Sequence, residues 1–178
     1  MVRISYKRAD TLSELNQILS LQRINLPQAL SAEDQKNEGF VTVHHDLDIL
    51  ERMNARCKHI IATAEDEVVG YALCMSPSFR NDIPILQPMF HRIDQALPDA
   101  KYMVMGQICI AKAFRKQGIF HGLYAFMSSQ LKQDYDCIVT EVDQKNPRSM
   151  GAHKSIGFVT LLSYVADGHD WEILKLEL

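Results

Sequence analysis

The apolar pattern of this chain changes period around Arg115. Residues 102–110 form one continuous strand-like run, whereas Ile119, Leu123, Met127 and Leu131 recur every fourth residue with Phe120 and Tyr124 beside them. That second spacing predicts an amphipathic helix. Between them lies a short basic turn, Lys112-Ala113-Phe114-Arg115-Lys116-Gln117-Gly118. A strand that runs through a tight turn into a helix restricts the chain to folds mixing sheet and helix. It also leaves first-turn N–H groups unpaired and aimed at one spot, with the positive end of the helix dipole behind them. A pyrophosphate is the natural guest. Gly118 removes the side chain where a phosphate would approach, and Arg115 and Lys116 add charge. The GK[ST] ending of a nucleotide P-loop is absent.

The rest of the chain alternates in the same way. Residues 4–7 read as a strand, and Thr11-Leu12-Ser13-Glu14 is a capping box that opens a helix. Residues 28–45 are polar and irregular, and Asp46 caps a second helix. Residues 59–63 and 68–73 read as a hairpin around Glu65-Asp66-Glu67. Four prolines break residues 76–99, leaving one short helix near 89–96. Residues 137–142 are a strand, Asn146-Pro147 opens the last helix, and Gly157 closes it. Two final strands, 159–165 and 171–177, flank Asp167-Gly168-His169-Asp170. The main order is β-α-α-β-β-β-α-β-α-β-β, with the short 89–96 helix besides. Interspersed helices and hairpins together predict a mixed sheet.

The last helix carries a second motif. Ser149, Ala152, His153 and Ile156 fall at i, i+3, i+4 and i+7 on one face, so His153 points towards the interior or a ligand groove. A lone histidine among apolar neighbours is, in isolation, more often a satisfied structural residue.

Taken together, the two motifs resemble the cofactor half of the GNAT superfamily of N-acetyltransferases. Arg115-x-x-Gly118-x-Phe120 is similar to its Q/R-x-x-G-x-G/A signature, preceded by Ile108 and Ile110 at the strand end. Asn146-x-x-Ser149-x-x-Ala152-His153, closing on Gly157-Phe158, is similar to its N-x-x-A-x-x-L-Y helix. The resemblance implies an α/β (α+β) fold: a mixed, mostly antiparallel sheet of six to seven strands with about four helices. It implies one domain over residues 1–178, with the acyl-CoA side at 102–158 and the acceptor side mainly at 11–58 and 76–100. Acetyl-CoA would be the cosubstrate and an amine the acceptor. Pantetheine would pair with the strand at Ile108, Cys109 and Ile110. The turn Arg115-Lys116-Gln117-Gly118-Ile119-Phe120 would hold the pyrophosphate, with Asn146 and Ser149 alongside.

Two departures stand out. Phe120 replaces a small residue, so its side chain must turn away from the cofactor. His153 replaces the tyrosine that often protonates the leaving thiolate. Imidazole titrates near neutrality, so His153 is a candidate proton donor, with packing as the alternative. Gln107, on the central strand, is expected to hold substrate or an ordered water, since an amide takes no proton. Glu141, on the next strand, is the candidate general base, against a surface position or a chain of waters. Those departures also leave open an acyl-CoA-binding module without turnover.

Composition narrows the classes. A net charge of -3 argues against a general nucleic-acid binder, and no apolar run reaches membrane length. Four scattered cysteines, Cys57, Cys74, Cys109 and Cys137, read as free thiols in a reducing cytoplasm. His44-His45-Asp46 resembles a metal set only in composition, because adjacent residues seldom share a centre, so no metal is expected. Glu38, Asp46, Asp48 and Asp94 are carboxylates available to attract a cationic amine. His169-Asp170-Trp171 borders the expected substrate entrance, with a plain surface turn as the alternative. Homodimers are frequent in the superfamily.

Overall fold

A computed structural model describes residues 2–31, 33 and 39–178; Glu38 lies outside them. In chain order the elements are β1 (Ile4–Arg8), α1 (Leu12–Arg23), α2 (Leu47–Arg56), β2 (Ile60–Ala64), β3 (Glu67–Met75), α3 (Gln87–Ala96), β4 (Tyr102–Ile110), α4 (Ile119–Leu131), β5 (Cys137–Asp143), α5 (Pro147–Ser155), β6 (Val159–Ala166) and β7 (His169–Glu177). The described residues thus carry seven strands and five helices, α3 being the short helix between prolines. No helix among them is long and apolar enough to cross a membrane.

Local chemistry fixes many boundaries. The Glu14 N–H donates to Thr11 Oγ1 at 3.2 Å and Thr11 N–H to Glu14 Oε2 at 2.9 Å, completing the capping box of α1. Asp46 caps α2 through Ile49 N–H at 2.9 Å. Two hairpins use two-residue turns with both residues at positive φ, Glu65-Asp66 (48° and 69°) and Asp167-Gly168 (49° and 75°). That conformation matches the natural twist of paired strands. The second turn is tighter than the four-residue one expected, so β7 begins at His169 and brings His169 and Trp171 onto one face.

The strands form one sheet in the order β1-β2-β3-β4-β5-β7-β6. All neighbours are antiparallel except β4 and β5. On one face, Ile18, Leu50, Met53, Phe90 and Ile93 pack with Tyr71, Leu73 and Val104. On the other, Leu123, Tyr124 and Met127 of α4 pack with Ile60, Ala72, Met103 and Ile138. Burial of these large side chains contributes roughly 1.5–3 kcal/mol each before the cost of chain ordering.

Two irregularities in β4 interrupt this sheet. The strand pairs with β5 only from Tyr102 to Val104, opposite Cys137 to Val139, and beyond Val104 that pairing stops. A register shift against β3, where Ala72 faces Ile108 but Cys74 faces Met105, inserts one extra residue around Gly106 and Gln107.

Candidate active site

Where β4 and β5 part, a cleft of about 640 Å³ opens. The Ala111 N–H bonds Val69 O at 2.8 Å, towards β3. By strand alternation the backbone groups of Ile110 and Ile108 therefore face the opposite, open edge. The cleft continues to the start of α4, where Lys116 (φ 61°) and Gly118 (φ 79°) are left-handed and no side chain caps the helix. Its first N–H groups have no partner inside the helix. A Cβ on Gly118 would meet nothing within 4 Å, so what the glycine supplies is the backbone conformation and bare access.

Of the eleven residues that sequence reasoning assigned to the cofactor, ten line this cleft: Ile108, Cys109, Ile110, Arg115, Lys116, Gly118, Ile119, Phe120, Asn146 and Ser149. Gln117 does not; it is exposed and its amide donates to Ala113 O at 3.1 Å. The ring of Phe120 packs edge-on against Tyr124 and His153, at centroid distances of 5.3 and 5.1 Å. Burial pushes the Cys109 thiol up to about 12, so this residue offers its backbone rather than a thiolate. Arg115 donates to Ile110 O at 3.0 Å and to Asn25 Oδ1 at 2.7 Å.

Residues 39–46, irregular in sequence up to the Asp46 cap, strap across this opening. The Val41 N–H bonds Asn25 O at 3.1 Å. Asn146 caps α5 through Ser149 N–H at 3.1 Å and donates from Nδ2 to Phe40 O at 3.3 Å. Gln107 Nε2 donates to Val43 O at 2.7 Å, while its Oε1 accepts from Gln22 Nε2 at 2.8 Å and from the Tyr71 hydroxyl at 2.6 Å. Gln107 is thus a tie between β4, α1, β3 and the strap.

Past the strap, a second cavity of about 30 Å³ is lined by Thr42, Val43, Leu86, Met89, Val104, Met105, Gly106, Glu141 and Trp171. This is room for one or two water-sized groups. Burial drives the Glu141 carboxyl up to about 7, against a hydrogen bond donated by the Tyr164 hydroxyl. A carboxyl poised at neutrality can take a proton from an amine and release it again. Of the other carboxylates named as amine attractors, the three described ones have partners of their own. Asp46 caps α2, Asp48 pairs with Arg52 at 3.1 Å, and Asp94 accepts from Arg80 at 2.5 Å and Tyr102 at 2.7 Å.

His153 does not line either cavity. It is 1% exposed and ringed edge-on by Phe120, Tyr124 and Phe158 at 5.1, 5.6 and 5.2 Å. Its Nδ1 lies 2.7 Å from Ser149 O and its Nε2 accepts from the Tyr124 hydroxyl at 2.8 Å, so the neutral ring has both nitrogens satisfied. Desolvation holds its pKa down at about 4. Replacing His153 by Ala should empty that cage and strand the buried Tyr124 hydroxyl, costing about 3 kcal/mol. Thermal unfolding will read this as a lowered Tm, with acetyl-CoA affinity by calorimetry nearly unchanged; unchanged Tm would contradict the packing geometry.

Sequence comparison finds a model of the Acetyltransferase (GNAT) family matching residues 18–158. No curated protein sequence matches the chain. Several solved structures share its fold. One assigned to the GNAT family, from Desulfovibrio desulfuricans, has a TM-score of 0.67 at 15% identity, covering 98% of this chain and 99% of that one. The ribosomal-protein-S18-alanine N-acetyltransferase of Escherichia coli gives 0.65 at 11% identity, over 98% and 94%. Salmonella typhimurium yncA, solved with its cofactor acetyl-CoA, gives 0.65 at 16%, over 98% and 93%. At such identities the likeness is one of fold.

Proposed function

Because the chain belongs to the GNAT family of acetyltransferases, we propose that it is an N-acetyltransferase moving an acetyl group from acetyl-CoA to a primary amine, with Glu141 as base. The observation that carries this reading is the pair of recesses along one strand. Ile108 and Ile110 of β4 line the wide cleft, and Gly106 of the same strand lines the small cavity that holds Glu141. A donor on one side and an amine on the other would meet where β4 leaves β5.

The residues of the cleft fit acyl-CoA. An extended pantetheine arm can add, as a further strand would, to the edge of β4 that β5 leaves unpaired, where the Ile110 carbonyl is held by Arg115. The bare turn at 116–120 offers N–H groups and the Lys116 ammonium to a pyrophosphate, with the Arg115 guanidinium next to it. When bound, acetyl-CoA supplies a thioester: the amine nitrogen bonds the acetyl carbon as the C–S bond breaks, and sulfur gains the proton nitrogen loses. The chain's own work is to orient the amine against Val43, Met89 and Trp171, to exclude water and to hold a proton at Glu141. With both His153 nitrogens engaged, we assign it to packing rather than to protonating sulfur. We place the acyl-CoA side at residues 102–158 and the amine side around the strap, α3, β6 and β7. Four free cysteines, three of them buried, suit a reducing cytoplasm.

Acetyl-CoA and CoA, but not ATP, should bind the purified protein at micromolar concentration by calorimetry. Acetyl-CoA with a panel of primary amines should then release CoA thiol. Absence of CoA binding would sink the reading. Binding without thiol release for any amine would favour a sensor module, which the sealed ring of His153 keeps in play.

A further inference from the structure

The β6–β7 hairpin contributes a histidine that stands outside the donor cleft. Its partner is Asp143, the last residue of β5, which is 3% exposed. The Asp143 Oδ1 accepts the Lys145 N–H at 2.8 Å, and its Oδ2 lies 2.6 Å from His169 Nδ1. An ionised carboxylate can only accept, so the facing nitrogen carries the proton whether the ring is neutral or charged. In the neutral ring this leaves Nε2 as the basic lone pair.

The position of the ring matters as much as its tautomer. His169 stacks on Trp171, with centroids 5.6 Å apart and planes tilted by 30°. Trp171 is registered opposite Asp143 across the β5–β7 ladder, and it lines the cavity of Glu141. Glu141 and Asp143 alternate onto the same face of β5, about 7 Å apart along the strand. The His169 side chain is 45% exposed, so the imidazole touches both the wall of the cavity and bulk water. Glu141 is half-buried beside that cavity, and the Tyr164 hydroxyl occupies its Oε2. A proton taken up there needs a way out.

We infer that His169, oriented by Asp143, is the proton relay that empties Glu141 to solvent. The inference rests on Glu141 being the base. At neutral pH the acceptor arrives as an ammonium. One proton passes from its nitrogen to the Glu141 carboxylate, leaving a neutral amine to attack. The same proton moves through water to His169 Nε2, the imidazolium is balanced by the Asp143 carboxylate, and Nε2 then returns it to bulk. One proton enters and one leaves per turnover, and no electron is transferred.

The test uses the full chain with acetyl-CoA and whichever primary amine of the panel gives fastest thiol release. His169→Ala should lower kcat roughly 10–100-fold, a relay being worth less than a direct base. The KM for acetyl-CoA and the Tm should stay near wild type, and added free imidazole should restore rate in proportion to its concentration. His169→Gln, which keeps a donor for Asp143 and cannot relay, should lose rate equally. If either variant turns over like wild type, or if its loss follows a fallen Tm and imidazole restores nothing, the relay is overturned while Glu141 stands. If Glu141→Gln leaves the rate unchanged, or if wild type binds acetyl-CoA yet releases no thiol, the base assignment falls and takes the relay with it.

Discussion

Glu141→Gln is expected to lower turnover by about 10²–10⁴-fold, the usual range for a lost general base, while making the protein more stable above neutral pH. The two effects have one cause. Burial lifts the Glu141 carboxyl from 4.5 to about 7, and each unit corresponds to about 1.4 kcal/mol between protonation states. Since the folded value is raised, the stability held by the protonated group is complete below about 4.5 and is lost as pH rises through about 7. Above that, the ionised carboxylate costs about 3 kcal/mol, which an amide does not incur. Glutamine also keeps an oxygen to accept from the Tyr164 hydroxyl. Thermal unfolding should therefore show Glu141→Gln ahead by roughly 5–10 °C at pH 8 and level with wild type near pH 4.5. An exposed glutamate would change neither rate nor Tm. Loss of rate with no gain at pH 8 would mean that the carboxylate is solvated and acts by other means.

What could be read from the sequence was local. The change of period at Arg115, the Thr11–Glu14 capping box and the Asn146-Pro147 helix start depend on neighbours within a few residues, and each stands where its pattern put it. Ten of the eleven assigned cleft residues converge because two strand-to-helix turns deliver them to one edge. The environment of Glu141 could not be read this way. Its carboxyl is shaped by Thr42 and Val43 from the strap, Tyr164 from β6 and Trp171 from β7. None of these is near Glu141 in sequence, and no periodicity links them. The inward direction of His153 followed from helical spacing, but its satisfaction by Tyr124, 29 positions away, did not. The His169–Asp143 pair, 26 positions apart, depends on a two-residue turn where four residues were expected.

The protein is also expected to lose about 5 kcal/mol of stability between pH 6.5 and 4.5, a large share of the 5–15 kcal/mol typical of a folded domain. Three histidines are responsible. His45, His59 and His153 are 2%, 0% and 1% exposed. Desolvation depresses them from 6.5 to about 4, 3 and 4, respectively. His59 has both neutral-ring nitrogens bonded, Nδ1 accepting the Cys74 N–H at 3.1 Å with Nε2 3.2 Å from Leu50 O. His45 Nδ1 faces Gln22 Nε2 at 2.9 Å, while its buried Nε2 has no partner among the described residues, so a second proton there would be unsupported. A depressed folded value gives stability that is complete above the unfolded value of 6.5 and is lost as pH falls towards the folded one. Over this window the unfolded chain binds up to three more protons at these sites, a loss of about 7 kcal/mol. Glu141 works in the opposite sense, because its folded carboxyl holds a proton that the unfolded one lacks, and over the same window it offsets about 2 kcal/mol. Urea unfolding across this window should therefore report a net uptake of about two protons for wild type and about three for Glu141→Gln. The variant would then be the more stable protein at pH 8 and the steeper one to acid, its advantage gone by pH 4.5. Stability that does not change with pH between 6.5 and 4.5 would mean that the three rings are hydrated or already charged in the fold. A slope that Glu141→Gln leaves untouched would remove the neutral-pH titration on which the proton chemistry of the site depends.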